Sequence, residues 1–272
     1  MGFSVNTNVG AMAALQSLNA TNKALGMTQN RINTGQNVSS TKDDSAAYTI
    51  AQTLRGELGG LNAVKSSLSR AKSSVDVAVA GAEQISDLVN QMKAKAIEAS
   101  DEGLDADSRT AIGKDFDALK EQITTIIDSS EFNGTNLLKA AGGDVKALQS
   151  TDTAAATLDV DNQDFNAVAT TFATTFTDAA TAKTMVTTLE TAATDINDKL
   201  STLGAGSRKI DAQSSFVGKL SDVIESGIGN LVDADLAKES ARLQALQVKQ
   251  QLGVQALSIA NQAPQTITSL FR

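Results

Sequence analysis

Few residues in this chain could carry chemistry, and their spacing decides what each could do. Gly56, Gly59 and Gly60 precede Lys65 and Ser66, the residue types of a loop that cradles phosphate. Such a loop needs Gly, Lys and Ser or Thr in direct succession, so that backbone N–H groups and the lysine converge on one phosphate. Val64 stands where that glycine belongs, so these are small residues suited to a close-packed helix pair. Gly204-Ala205-Gly206 sits inside a helical repeat, not between a strand and a helix, which removes the dinucleotide reading. Asp159-Val160-Asp161-Asn162-Gln163-Asp164 imitates the opening of a calcium loop. It has Asp164 where the sharp turn needs Gly, and Thr170 where the closing Glu belongs, so a solvated acidic loop is expected.

The chain has no His and no Cys. The commonest general base near neutral pH is therefore missing, as are thiolate and imidazole metal ligands. Paired carboxylates could still hydrolyse a glycosidic bond. However, aromatics make up 3% of 272 residues, which leaves little to line a ligand pocket. The expectation is a non-enzyme with no metal and no cofactor. With 23 Lys and Arg against 31 Asp and Glu, the net charge of -8 argues against nucleic acid and against anionic lipid as partners. The first basic residue is Lys23 and no long apolar run precedes it, so no cleaved secretory signal is expected. No stretch approaches the roughly 20 apolar residues of a membrane span, so membrane insertion is not expected either.

Helical periodicity is what must position these side chains. From Ala47, every seventh residue is apolar: Leu54, Leu61, Leu68, Val75, Ala82, Val89, Ala96. Three residues on, Ile50, Val64, Ala71, Ala78, Ile85, Met92 and Ala99 form a companion series broken only by Glu57. Alternating spacings of three and four over this length predict a supercoiled helix of about 80 Å. A second seam runs Leu189, Ile196, Leu203, Ile210, Val217, Ile224, Leu231. The two long helices are expected to bury each other's seams. A shorter helix with Asp105 and Asp107 at its start carries Ile112, Phe116, Leu119, Ile123 and Ile126, and Asn133-Gly134 supplies a turn after it.

Both ends also read as helical. Leu18, Leu25 and Ile32 repeat in sevens near the N-terminus. After a frame slip between Leu231 and Leu236, a new stripe runs Leu236, Leu243, Leu246, Leu257. Leu252 and Ile259 lie on another side of that helix, and Leu270 and Phe271 keep the chain end apolar. A helix apolar on several faces is normally buried all round. A lone pair of such helices leaves leucines wet, and each then forgoes about 1.5–3 kcal/mol. The ends are therefore expected to be covered by copies of the same chain. Gly253 costs about 1 kcal/mol in a helix interior, tolerable where another helix packs tightly, and Pro264 is expected to kink or end the last helix. Arg31, Gly35, Lys42, Asp43 and Asp44 mark a connector in which the helical pattern breaks, with Ser40 or Thr41 as a candidate helix cap.

The expected fold is mainly α: a long antiparallel coiled-coil bundle with paired terminal helices and a small β-hairpin or loop excursion in the middle. Residues 1–40 with 232–272 form a terminal coiled-coil domain. Residues 41–140 with 185–231 form a long-helix domain. Residues 141–184, rich in Thr, Ala and Asp, form a short exposed excursion with a strand at 157–161.

These motifs resemble a known family. Val5-Asn6-Thr7-Asn8-Val9 resembles the N-terminus of bacterial flagellins, and Asn30-Arg31-Ile32-Asn33-Thr34-Gly35 followed by Ser40-Thr41-Lys42-Asp43-Asp44-Ser45-Ala46 resembles their most characteristic segment. Glu131-Phe132-Asn133-Gly134-Thr135-Asn136-Leu137-Leu138, and Ala260-Asn261-Gln262-Ala263-Pro264-Gln265 near the C-terminus, are similar in order and spacing. The resemblance implies a subunit that polymerises with itself into the extracellular flagellar filament used for swimming. It implies terminal helices lining the filament's channel and long helices around them. It also implies an export chaperone, the flagellar secretion apparatus, and cap and hook-associated proteins as partners. The hook–filament junction protein, with similar ends, is the alternative. The short excursion implies a thin, smooth filament. Where many flagellins carry a run recognised by an animal Toll-like receptor, this chain reads Asn90-Gln91-Met92-Lys93-Ala94-Lys95, which implies weak receptor activation.

Overall fold

The computed structural model describes residues 7–152, 156–172 and 176–268. Its elements follow the order α1 (Val9–Thr34), α2 (Ser45–Ala99), α3 (Ala106–Ser129), β1 (Val145–Ala147), β2 (Leu158–Val160), α4 (Asn166–Thr170), α5 (Ala179–Val232) and α6 (Leu236–Thr268). The fold is mainly α, and its sheet is one antiparallel pair of strands with Val145 opposite Val160 and Ala147 opposite Leu158. The chain divides into two compact units, one of residues 1–56 with 223–272 and one of residues 57–222.

In unit 57–222 the seam of α2 is dry. Leu61, Leu68, Val75 and Val89 are buried, as are Val64, Ile85 and Met92 of the companion series. On α5, Leu189, Ile196, Leu203, Ile210 and Val217 are buried. The two helices run antiparallel. Lys72 Nζ reaches Asp211 at 3.0 Å and Ser207 at 2.6 Å, and Lys93 Nζ reaches Glu190 at 2.9 Å. A third layer comes from α3, which returns along α2 with Lys95 against Asp115 at 3.2 Å. The buried stripe of α3 is Ile112, Phe116, Ile123 and Ile127, while Ile126 is only half-buried. Asp105 caps this helix by accepting from the Ser108 amide at 2.7 Å.

The corner between α2 and α3 depends on a residue that periodicity does not single out. Arg109 is buried, and its guanidinium donates to the carbonyls of Ala99 (3.0 Å), Asp101 (2.8 Å) and Leu104 (3.2 Å). Helix ends leave carbonyls without partners, and a buried cation supplies several donors at once.

The excursion is more firmly packed than its composition suggests. Val145, Ala147 and Val160 are buried, so one face of the hairpin lies against the unit and only the other meets water. Leu148 N donates to Ser67 Oγ at 3.2 Å, and Gln213 Nε2 donates to the Gln149 carbonyl at 2.7 Å. Val160 Cγ2 lies 2.9 Å from where a side-chain carbon at Gly206 would stand, so that glycine makes room for the hairpin. Phe172 and Phe176 pack edge-on against Phe116. A strand whose alternate residues are apolar has one face to bury, and the rod provides the surface.

In unit 1–56 with 223–272, the first turns of α2 and the last of α5 share a small core of Val38, Ala51, Ile228 and Val232. Leu54 and Ile224 are only half-buried there. An α-helix drifts about 20° per heptad against a 3.5 repeat, so a strict count in sevens moves off the contact line.

Candidate assembly surfaces

α1 and α6 form an antiparallel pair. Asn8 Nδ2 donates to the Ala260 carbonyl at 2.7 Å, Gln250 Nε2 donates to Asn22 Oδ1 at 2.8 Å, and Arg31 meets Glu239 at 3.4 Å. Gly253 faces Leu18, whose Cδ1 is 3.2 Å from where a side-chain carbon would stand, which accounts for a glycine inside a helix. Leu18, Leu25 and Ile32 of α1 and Leu243, Leu246 and Leu257 of α6 lie along this contact, all half-buried. Among the described residues of the pair, Thr28 and Glu239 are buried and no apolar side chain is.

Among the described residues, the other large apolar side chains of the pair are exposed. On α1 they are Val9 (74% exposed), Met12, Leu15 and Met27; on α6 they are Leu236, Val248, Leu252, Val254 and Ile259 (69%). At 100° per residue, Val248, Leu252 and Ile259 fall on the side of α6 turned away from α1. Covering these half-wet side chains would stabilise an assembly by on the order of 10 kcal/mol per chain as an upper bound. That is comparable with the roughly 4–15 kcal/mol that association costs in lost freedom. Leu270 and Phe271 lie outside the described residues.

Pro264 does not end α6, which continues to Thr268. Proline lacks the N–H that would bond the carbonyl four residues back. That carbonyl belongs to Ala260, and it accepts from Asn8 Nδ2 instead. Asn8 Oδ1 meanwhile accepts from Ala11 N at 2.9 Å and caps α1. One side chain thus starts the first helix and repairs the last. Sequence reasoning missed this role, although an Asn directly before a helical repeat is itself a capping signal.

The connector is built from backbone. Gly35 ends α1 in the left-handed region (φ 70°), a conformation open to glycine. The chain then pairs with the link between α5 and α6: Asn37 N and Val38 N donate to the Val232 carbonyl at 2.8 and 3.2 Å, and Ala234 N donates to the Gly35 carbonyl at 2.9 Å. The helix start differs from the Ser40 or Thr41 expectation. Asp44 is the cap, accepting from the amides of Ala46 (2.9 Å) and Ala47 (3.0 Å). Asp43 Oδ2 instead gathers the hydroxyls of Ser40 (3.0 Å) and Ser39 (3.1 Å) and both of their amides. The Ser40 hydroxyl, followed by that of Ser39, holds the Asp43 carboxyl below its ordinary range. Lys42 is exposed. The frame slip in the C-terminal half is a helix break, where Asp235 Oδ1 accepts from Ala237 N (3.0 Å) and Lys238 N (3.1 Å) to start α6. Glu239, one turn on, is buried; it meets Arg31 through Oε1, and its Oε2 has no hydrogen-bond partner among the described residues.

The segments that imitated chemical sites serve the rods. Gly56, Gly59, Gly60 and Lys65 lie within α2, and Gly204 and Gly206 within α5. Asp159 faces Lys146 in the hairpin ladder, and Asn162 Nδ2 donates to the carbonyls of Asn136 and Lys139, both at 2.9 Å. Among the described residues, no helix is long and apolar enough to cross a membrane.

Long helices with apolar seams and a terminal pair apolar on its outer face define a mainly α protein of the coiled-coil type. The model of the bacterial flagellin N-terminal helical region matches residues 5–142, and that of the C-terminal helical region matches residues 186–271. Flagellin FljM of Caulobacter vibrioides is 47% identical over 269 residues, covering 99% of this chain and 98% of that protein. A flagellin of Brucella melitensis is 37% identical, with 99% of each chain covered. The crystal structure of Bacillus cereus flagellin is similar, with 28% identity and a TM-score of 0.50 over 54% of this chain and 86% of that one. The chain belongs to the bacterial flagellin family and is a structural subunit of the flagellar filament. Nothing in these relatives favours the hook–filament junction alternative.

Proposed function

We propose that this chain builds the filament by burying its α1·α6 pair between copies of itself. Residues 1–40 with 232–272 act as the inner layer around the channel. Residues 41–140 with 185–231 form the surrounding layer, and residues 141–184 form a short outer excursion. Copies associate head to tail through different surfaces, a geometry that does not close and so grows as a helix. The uncovered apolar residues of α1 and α6 carry this reading, because a single chain leaves them in water. Such a surface also needs shelter before assembly. An export chaperone on the apolar C-terminal segment, passage through the flagellar secretion apparatus and folding beneath a cap at the filament tip meet that need. Hook-associated proteins join the finished filament to its base outside the cell.

Leu252→Asp and Ile259→Asp test the assignment. Both side chains are wet in the isolated chain, so a charge there leaves the monomer's melting curve unchanged, yet it would be costly to bury in an assembly. Electron microscopy of the concentrated protein is expected to show long filaments for the parent chain and none for the variants. Normal filaments from both variants would overturn the reading. Weak Toll-like receptor activation is part of the same proposal. It is supported by Met92 being buried, by Lys93 paired with Glu190, and by Lys95 paired with Asp115. Strong signalling by purified monomer in a reporter assay would contradict it.

A further inference from the structure

We propose that Asn133 is a site of spontaneous chemical ageing, at which the side-chain amide is lost through attack by the next residue's backbone nitrogen. No other Asn or Asp in the chain is followed by glycine. Asn133 and Gly134 are the two central residues of a tight hairpin turn, with φ values of 51° and 81°. The turn is closed by Phe132 N donating to the Thr135 carbonyl (3.0 Å) and Thr135 N donating to the Phe132 carbonyl (3.1 Å). Positive φ at both positions is the two-residue turn that favours Asn-Gly. Both residues are exposed. Among the described residues, neither the Asn133 amide nor the Gly134 N–H is held by a hydrogen bond. With no side chain on Gly134, nothing shields its nitrogen.

In the reaction, the Gly134 nitrogen forms a bond to Cγ of Asn133. The Cγ–Nδ2 bond breaks, and Nδ2 leaves as ammonia with the proton that Gly134 gives up. The five-membered imide then takes up one water. Opening at one carbonyl gives aspartate, and opening at the other gives isoaspartate. No oxidant or reductant is needed.

The consequence is local. Either product adds a negative charge to a chain already at -8. Isoaspartate also lengthens the backbone by one carbon, about 1.5 Å, inside a turn whose closing pair tolerates no such insertion. Just beyond the turn, buried Asn136 donates from Nδ2 to the Ile127 carbonyl at 2.6 Å, and its Oδ1 accepts from Leu138 N at 2.9 Å and Lys139 N at 3.0 Å. Leu137 and Leu138 are fully buried there. Ageing at Asn133 therefore loosens the strap that follows α3.

The test is to hold the purified folded chain in warm, mildly alkaline buffer and follow the tryptic peptide 121–139 by chromatography and mass spectrometry. An unfolded synthetic peptide of the same sequence is treated alongside. The expected result is conversion of Asn133 in the folded chain at least about tenfold faster than Asn136 in the same peptide, a barrier lower by about 1.4 kcal/mol. Both an aspartate and an isoaspartate product should appear. If Asn133 stays intact in the folded chain while the synthetic peptide converts, the turn blocks the attack and the proposal is wrong. It is equally wrong if Asn136 converts as fast as Asn133.

Discussion

Two glycines on one helix allow the packing of the rod to be tested with identical chemistry. Gly59 and Gly81 both lie inside α2 within unit 57–222. In a helix interior alanine is favoured over glycine by about 1 kcal/mol. At Gly59 nothing lies within 4 Å of an added methyl group, so Gly59→Ala should gain roughly 0.5–1 kcal/mol. At Gly81 the methyl would sit 2.9 Å from Leu138 Cδ1 and against Ser130 Oγ, inside van der Waals contact. Neither neighbour is free to yield. Leu138 is fully buried, and the Ser130 hydroxyl donates to the Ile126 carbonyl at 2.7 Å. Overpacking of this kind costs about 1–3 kcal/mol. Set against the helix gain, Gly81→Ala should lose about 0–2 kcal/mol. The two variants should thus differ by about 1–3 kcal/mol, with Gly59→Ala above the parent. Denaturant unfolding of the monomer followed by far-ultraviolet circular dichroism reads this directly. If Gly81→Ala proves as stable as Gly59→Ala, the segment 130–138 does not press on α2 as described.

The link between the chain ends invites a double-mutant cycle. Asn8→Asp keeps the acceptor for Ala11 N but loses the donor to Ala260, at a cost of about 1 kcal/mol. In a Pro264→Ala background the new backbone N–H can serve Ala260, so that cost should fall toward zero. Hydrogen exchange of α1 and α6 amides in assembled filaments measures the coupling, and a value near zero would refute the arrangement. At the connector, Asp43 has a lowered pKa in the folded chain. Its contribution is therefore present above the unfolded pKa and is lost as pH falls through the folded one. The Ser39 and Ser40 amide resonances should titrate with a midpoint below that of an ordinary aspartate, and they should not titrate in Asp43→Asn; a midpoint at or above the ordinary value would count against the four-bond cluster.

The mainly α class, the two apolar heptad series and the apolar surplus at both ends are legible in the residues alone. Each follows from repeating apolar residues at helical spacing, a local property that survives without coordinates. Leu68, Val75, Leu189 and Ile196 recur at multiples of seven along their helices, and all four are buried. Whatever depends on the residue lying opposite emerges only when the chain has folded. The heptad count did not mark Ala51, Ile228 and Val232 as a core shared by the first turns of α2 and the last of α5, because a real helix drifts against a 3.5 repeat. Arg109 stands out in no periodic pattern, and its role exists only once the ends of α2 and α3 are brought together around its guanidinium. Pro264 signals a kink or an end of the helix, and only the arrival of Asn8 from the other end of the chain gives the Ala260 carbonyl a donor. The strand at 157–161 was legible as an alternating pattern, but what its apolar face rests on was not: Val145 and Val160 are buried against the long helices. Periodicity records which face of a helix avoids water, whereas a hydrogen bond between residues 8 and 260 exists only once folding has put them side by side.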